Sequence, residues 1–125
     1  MLTKASQAKL ATCHEDLQDI VEALAEQMQI IVVCGHRGEK EQNEAYAKGN
    51  SKLKFPKSKH NTLPSMAVDL APAKTVDGKL VIDWQDKKAF TILARAFMRI
   101  AECNGVSYTW GGEWKMADLV HFQLD

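Results

Sequence analysis

The stretch Met66-Ala67-Val68-Asp69-Leu70 decides the fold, because its side chains alternate in polarity as those of a half-buried strand do. Met66, Val68 and Leu70 would lie on one apolar face, and Asp69 would point to the opposite side. Packing does not explain a carboxylate in that position. Asp69 is therefore the first candidate functional residue of the chain.

The segments before this strand predict two helices, a strand and a long loop. Apolar residues at helical spacing predict a helix over about 10–28, and the β-branched run 30–34, closed by Gly35, predicts a buried strand. Good helix formers predict a second helix over 39–48. Residues 50–65 have no periodicity and predict a long loop, a kind of segment that is often functional.

The segments after the strand predict a hairpin, a helix and two strands. Asp77-Gly78 is typical of a tight hairpin turn. Asp83 is expected to cap a helix that ends near Cys103, and strands are expected at 106–110 and 120–124. This order of elements predicts a small α+β single domain, with an antiparallel sheet packed by about three helices.

Length and composition exclude several classes of protein. The chain has 125 residues, with 16 Lys and Arg against 16 Asp and Glu, so its net charge is zero and nucleic acid is not an expected partner. The longest aliphatic run, 30–34, is far shorter than the roughly 20 residues of a membrane span, so no membrane insertion is expected. Residues 1–7 lack the apolar core of a signal peptide, and an odd number of cysteines without C-x-x-C does not suggest disulfides. We expect a monomer that is made in a reducing cytoplasm.

Three polar side chains could form a metal site: His60 in the long loop, Asp69 on its strand and His121 at the start of the last strand. Two imidazoles and a carboxylate are a sufficient ligand set for a catalytic zinc ion, whose fourth position is left for water. Asp118, three residues before His121, could serve as a base beside the metal. Unrelated surface histidines and an exposed aspartate would produce the same pattern, so spacing alone leaves both interpretations open.

Several short motifs follow one another along the chain: Gly35-His36-Arg37, Glu41-Gln42, Tyr46-Ala47-Lys48-Gly49, Ser58-Lys59-His60, Ala67-Val68-Asp69, Trp110-Gly111-Gly112-Glu113-Trp114 and Asp118-Leu119-Val120-His121-Phe122. Their order resembles the G-Y-R…E-Q…Y-A-x-G…S-x-H…A-x-D…W-G-G-x-W…(D/E)-x-x-H-F pattern of the LAS-type zinc peptidases. That family contains VanY-like D-alanyl-D-alanine carboxypeptidases and the L-alanyl-D-glutamate endopeptidases found among phage endolysins. The resemblance covers about residues 31–124.

The resemblance implies a hedgehog/D-Ala-D-Ala-peptidase-like fold and one zinc ion per chain. It implies that His60, Asp69 and His121 bind the zinc and that Asp118 is the general base and acid. Arg37 would stabilise a developing oxyanion or hold a substrate carboxylate, because a guanidinium is always charged and can donate two parallel hydrogen bonds.

Further residues close to the motifs have less defined roles. Ser58 would orient the loop or the substrate, and Trp114 could form a wall of a substrate cleft. Glu113 competes with Asp118 for the role of base, but eight residues from His121 it has no local reason to face the metal. Asp118 is the preferred candidate.

Two alternative interpretations concern residues 34–37. Arg37 could form a surface ion pair with Glu39 or Glu41 instead of serving a site. Cys34 and His36 could indicate a thiol peptidase, but no helix N-terminus is expected there to lower the pKa of the thiol.

The chain also departs from the family pattern at two places. Eight residues separate His60 from Asp69, where the family usually has six including a glycine. Gln123 follows Phe122 where a glutamate is common. The first of these departures bears on the geometry of the metal site.

The function that the resemblance implies is hydrolysis of an amide bond in the peptidoglycan stem peptide. A phage endolysin with L-alanyl-D-glutamate specificity is favoured, since residues 1–125 are expected to be one catalytic domain without a separate wall-binding domain or a signal peptide. Such an enzyme is made in the host cytoplasm and acts on the cell wall or in the periplasm after release. A D-alanyl-D-alanine carboxypeptidase and a non-catalytic zinc- or wall-binding module of the same fold are the alternatives.

Charge is segregated along the neutral chain. No acidic residue occurs over 45–68, and that range contains five lysines, Lys48, Lys52, Lys54, Lys57 and Lys59. A solvated loop is the default explanation of such a run. Because the run leads into His60, it could also attract an anionic wall peptide, an effect that salt would screen.

Overall fold

A computed structural model describes all 125 residues of the chain. Its helices are α1 (Lys4–Leu10), α2 (Glu15–Gln27), α3 (Glu39–Ala47) and α4 (Lys87–Cys103). Its strands are β1 (Ile30–Cys34), β2 (Ala67–Pro72), β3 (Lys74–Val76), β4 (Lys79–Val81), β5 (Tyr108–Trp110) and β6 (His121–Leu124). The predicted α+β class with an antiparallel sheet is confirmed.

The central sheet has four antiparallel strands in the order β1-β2-β6-β5, and β3 and β4 form a separate hairpin as predicted. Asp69 on β2 is paired with Cys34 on β1 and with His121 on β6. The register of β1 shifts between Val32 and Cys34, at the end nearest these residues. Three side chains of different chemistry therefore stand in one row across the sheet.

The other face of the sheet carries the apolar core. Val68, Leu70 and Phe122 are fully buried and belong to the same cluster as the apolar residues of α2 and α4. Phe97 of α4 stacks on Phe122, with ring centroids 4.3 Å apart. Burial of a side chain of this size stabilises the fold by roughly 1.5–3 kcal/mol. The predicted apolar face of β2 is thus correct.

The prediction of one helix over 10–28 is wrong, because the chain forms α1 and α2 with a break at 11–14. Two side chains cause the break: Thr12 Oγ1 donates to Lys9 O at 2.6 Å, and His14 Nδ1 accepts from Asp16 N at 3.0 Å. His14 is therefore the N-cap of α2. The sheet is accompanied by four helices instead of three.

Helix α4 begins later than predicted. Its N-cap is Asp86, whose carboxylate accepts from Ala89 N at 3.1 Å, whereas Asp83 accepts from Gln85 N within the preceding turn. Gly105 ends the helix with a φ of 68°. None of the helices combines the length and the apolar character needed to cross a bilayer.

Candidate metal centre

Asp69 is the centre of a buried polar cluster on the face of the sheet opposite the apolar core. Its Oδ1 lies 3.1 Å from His60 Nε2 and 3.3 Å from His121 Nδ1. Its Oδ2 lies 3.5 Å from Nη2 of Arg37. The structure thus brings together the three expected metal ligands and the expected arginine.

His60 is placed by a short 3₁₀ turn, Lys59–Asn61, within the long loop. Ser58 caps this turn, since its hydroxyl accepts from His60 N at 3.2 Å. His60 Nδ1 lies 2.7 Å from the carbonyl oxygen of Gly35, which can only accept a hydrogen bond. Nδ1 therefore carries the proton, and Nε2 directs its lone pair towards Asp69 when the ring is neutral.

The carbonyl that contacts His60 belongs to a glycine because the backbone is too crowded there for a side chain. A Cβ on Gly35 would lie 2.5 Å from Thr12 Oγ1 and still closer to the carbonyl oxygen of Lys9. Only glycine fits between β1 and the end of α1. The carbonyl that orients His60 is therefore fixed by the packing of the first helix.

His121 is oriented by the residue two positions further along β6. Its Nε2 donates to Oε1 of Gln123 at 2.9 Å, which leaves Nδ1 to face Asp69. The amide oxygen of Gln123 thus supplies the acceptor that orients this ring. This role of Gln123 was not predicted from the sequence.

The donor set fits a bound cation. Two neutral imidazoles would each present a lone pair to the same carboxylate oxygen, and such an arrangement is stable only with a positive charge between them. In the absence of a metal a proton supplies that charge. Although burial opposes it, hydrogen bonding to Asp69 and Cys34 raises the pKa of His60 to about 10.

The same contacts act on the carboxylate of Asp69. Burial alone would raise its pKa, but hydrogen bonds from His121 and His60 hold the pKa well below its usual range. The carboxylate is therefore ionised and available as a ligand at neutral pH. Two histidines and one ionised aspartate are the residues that could hold a metal here.

Arg37 belongs to the site and not to the surface. Its side chain is 16% exposed, and it contacts Asp69 instead of Glu39 or Glu41. Nη1 donates to Oε1 of the fully buried Gln42 at 3.0 Å. The surface ion pair considered as an alternative is therefore wrong.

Gln42 and Asn61 join the segment of Arg37 to the turn of His60. Asn61 Nδ2 donates to the carbonyl of Arg37 at 2.9 Å, and Arg37 N donates to the carbonyl of His60 at 2.8 Å. Asn61 also donates to Gln42 Oε1 at 3.2 Å. The sequence placed Gln42 in a motif, but only the structure shows that it holds Arg37.

Asp118 lies at the edge of the same cluster, half-buried. Burial raises the pKa of its carboxyl, and the neighbouring charge of Asp69 adds to the effect. Gly111 positions it, since a Cβ there would lie 3.1 Å from Asp118 Cβ and 3.2 Å from His121 Cβ. Glu113, the competing base, is exposed to solvent.

Trp114 and the lysine run contribute to the surroundings of the cluster to different degrees. The ring of Trp114 lies 5.2 Å from that of His121 and is 40% exposed, as a wall of an open cleft would be. Lys59 donates to the carbonyl of Leu124 at 2.8 Å and is partly buried, whereas Lys54 and Lys57 are exposed. The lysine run is therefore not one uniform surface.

Cys34 belongs to the same cluster, although the sequence analysis considered it only as a possible thiol nucleophile with His36. Its Sγ, a ring nitrogen of His60 and a carboxylate oxygen of Asp69 lie within 4.8 Å of one another. Burial raises the pKa of the Cys34 thiol, but His60 and Arg37 outweigh it and the pKa is lower than usual. The only signal in the sequence was its position at the end of β1, and nothing there indicated that β1 would lie beside β2.

A buried cluster of two histidines and an aspartate, with an arginine and a second carboxylate beside it, is typical of metal-dependent hydrolases. Comparison with known proteins specifies the class. A family model described as phage L-alanyl-D-glutamate peptidase matches residues 1–123. The chain belongs to this family, and the predicted resemblance and the prediction of a peptidase are confirmed.

Two individual proteins illustrate the similarity. The L-alanyl-D-glutamate peptidase of Escherichia phage T5 is 32% identical over 124 residues, which are 97% of this chain and 86% of the phage protein. The crystal structure of the L-Ala D-Glu endopeptidase ChiX of Serratia marcescens has a TM-score of 0.78 and 29% identity, covering 100% of this chain and 90% of that one. The likeness therefore extends over the whole of the described fold, including α1.

Proposed function

We propose that this protein is a zinc-dependent endopeptidase that hydrolyses the L-alanyl-D-glutamate bond of the peptidoglycan stem peptide. The observation that carries the proposal is the convergence of His60 and His121 on one oxygen of Asp69. Arg37 and Asp118 stand beside this group as an anion-binding residue and a base. The two relatives described above support the choice of bond, because both are named for it.

His60, Asp69 and His121 would hold the zinc ion, one per chain. When bound, zinc polarises a carbonyl group and lowers the pKa of water towards about 7. Gly35 and Gln123 keep the two histidines in the tautomers that leave a lone pair for the metal. The two rings would thus be oriented before the ion binds, and the ion would replace the proton that His60 carries in its absence.

Asp118 would take the proton from the attacking water and return it to the leaving amine. Its raised pKa makes the carboxylate a stronger base and lies closer to neutral pH, where one group can both take up and return a proton. Gly111 keeps it close to His121. Asp118 is thus the proposed general base and acid.

Arg37 would stabilise the negative charge that develops on the carbonyl oxygen, or hold a carboxylate of the substrate. Its guanidinium is held at one end by Gln42, so that its direction is fixed before substrate binds. Ser58 would act through His60, whose backbone it caps, and Trp114 would bound the cleft. The substrate would then be a wall peptide that binds at the polar face of the sheet.

The proposed cellular role is that of an endolysin, made in the host cytoplasm and acting on the wall after release. We also propose that residues 1–125 work as a single catalytic domain and as a monomer. Gel filtration of the purified chain together with a wall-lysis assay checks both points. A dimer, or lysis that requires an added wall-binding domain, would contradict them.

Mass spectrometry of digested muropeptides tests the bond that is cleaved. We expect purified peptidoglycan to release peptides that begin with D-glutamate and to leave L-alanine on the sugar strand. Loss of a single terminal alanine would instead show a D-alanyl-D-alanine carboxypeptidase.

Metal dependence is tested in the same assay. A chelator should abolish hydrolysis and zinc should restore it, with one zinc per chain by elemental analysis. Asp118→Ala should abolish hydrolysis while zinc remains bound. If the wild type binds peptidoglycan without hydrolysing it, and Asp118→Ala and Arg37→Ala bind it equally well, the protein is a non-catalytic binding module and the proposal fails.

A further inference from the structure

Cys34 has no part in the mechanism above, although it belongs to the same cluster. It is paired with Asp69 in the register of β1 and β2. Its sulfur lies within 4.8 Å of the ligand atoms of both His60 and Asp69, and 3.6 Å from Nη2 of Arg37. The register shift of β1 occurs at this point and brings the thiol beside the carboxylate.

We propose that Cys34 is itself a ligand of the metal, so that the ion is held through a thiolate together with His60 and Asp69. This inference rests on the proposed function, since it concerns the same ion. It adds to the expected two histidines and aspartate a donor of different chemistry. The thiol proton is released to solvent when the sulfur binds the metal.

The distances permit a common ion. Around a tetrahedral zinc with bonds of about 2.3 Å to sulfur and 2.0 Å to nitrogen or oxygen, neighbouring ligand atoms are roughly 3.3–3.5 Å apart. The three ligand atoms of Cys34, His60 and Asp69 lie within 4.8 Å of one another. Side-chain rotations that move these atoms by roughly 1 Å would bring them to the spacing around a common ion.

A sulfur ligand changes the metal preference of the site. It favours thiophilic ions, such as cadmium, over ions that prefer oxygen ligands.

The other two cysteines provide matched controls. Cys103 is exposed near the end of α4, far along the chain from the cluster. Cys13 is buried, and its sulfur lies 3.8 Å from the carbonyls of Lys9 and Ala67. Only Cys34 has a histidine and a carboxylate as neighbours suited to a shared metal.

Cobalt substitution tests the proposal in the full-length protein. Metal-free wild type and Cys103→Ser, titrated with Co²⁺, should both show a near-ultraviolet sulfur-to-cobalt charge-transfer band. Cys34→Ser should lose that band but keep the visible bands of bound cobalt. Its affinity for Cd²⁺ should fall by at least about tenfold, since even residues that only support a ligand cost about that much. Circular dichroism and Cys34→Ala check that the loss does not come from misfolding.

The outcomes separate this proposal from the proposed function. Cobalt bound to the wild type without a charge-transfer band, or a band that persists in Cys34→Ser, overturns the role of Cys34. If hydrolysis still depends on zinc in that case, the proposed function stands. If the wild type binds neither cobalt nor zinc, both proposals fail.

Discussion

The two faces of the central sheet are built from alternate residues of the same strands, yet different forces hold them. Val68 and Phe122 point to the apolar core, where α4 covers them. Asp69 and His121, their direct neighbours in sequence, point to the candidate metal centre. One face depends on non-directional packing, and the other depends on hydrogen bonds and charge.

The two faces also differ in where their partners come from. The apolar face is covered by helices whose periodicity can be recognised in the sequence. The polar face receives Arg37 and His60 from loops, and these are joined by Asn61 and Gln42. Substitutions on the first face should therefore change stability, whereas those on the second should change chemistry.

The largest effect is expected on the polar face. Asp118→Asn should lower the rate of peptidoglycan hydrolysis by about 10²–10⁴-fold, because the amide cannot accept the proton from water. Thermal unfolding should change little, since Asp118 is only half-buried. The exposed Glu113→Gln is the matched control and should keep full activity. Equal losses in both variants would show that the base is wrongly assigned.

On the apolar face, Phe97→Ala should lower the free energy of unfolding by about 3–5 kcal/mol, because it removes the ring that stacks on Phe122 and leaves a cavity. Urea denaturation measures the loss, and Phe97→Leu should recover more than half of it. At a temperature where Phe97→Leu is folded, its hydrolysis rate per folded molecule should match the wild type. A hydrolysis rate per folded molecule that falls together with stability would show that the two faces do not act independently.

The next effect concerns the orientation of His121. Gln123→Ala removes the acceptor of the Nε2 hydrogen bond and should lower zinc affinity by about 10–100-fold. Gln123→Glu can accept the same bond and should retain the affinity of the wild type. Competition with a chromophoric chelator measures both. Unchanged affinity in Gln123→Ala would show that packing alone orients the ring.

The smallest effect lies far from the cluster. Asp86→Ala removes the N-cap of α4 and should cost about 1 kcal/mol of stability without altering hydrolysis. Asp83→Ala should cost less, because Asp83 only closes the turn before the helix. Thermal melts of the two variants compare them. A larger loss of stability in Asp83→Ala would show that Asp83 is the N-cap, as the sequence predicted.

Local patterns made part of this structure predictable. The alternation over 66–70 identified β2 and the direction of Asp69, and the residue types of His60 and His121 indicated metal chemistry. Gly105 and Asp77-Gly78 marked the end of a helix and a hairpin correctly. These features depend on residues a few positions apart.

The features that the sequence did not predict have a local cause in one case and a long-range cause in the other. The break between α1 and α2 follows from Thr12 and His14, whose side chains replace helical hydrogen bonds in a stretch that still has helical periodicity. Cys34 joins the cluster through the pairing of β1 with β2 and a shift of register. No pattern within β1 indicates which strand will lie beside it.

The segment between α1 and α2 has a consequence for trimming or fusing this protein. Thr12 accepts from the backbone of His36 at 2.8 Å through its hydroxyl and from Ser65 N at 2.8 Å through its carbonyl. These two hydrogen bonds join Thr12 to the residue after Gly35 and to the segment that leads into β2. A shortened version that begins at β1 would retain every proposed catalytic residue but lose both bonds, so a minimal enzyme cannot be designed from the motifs alone.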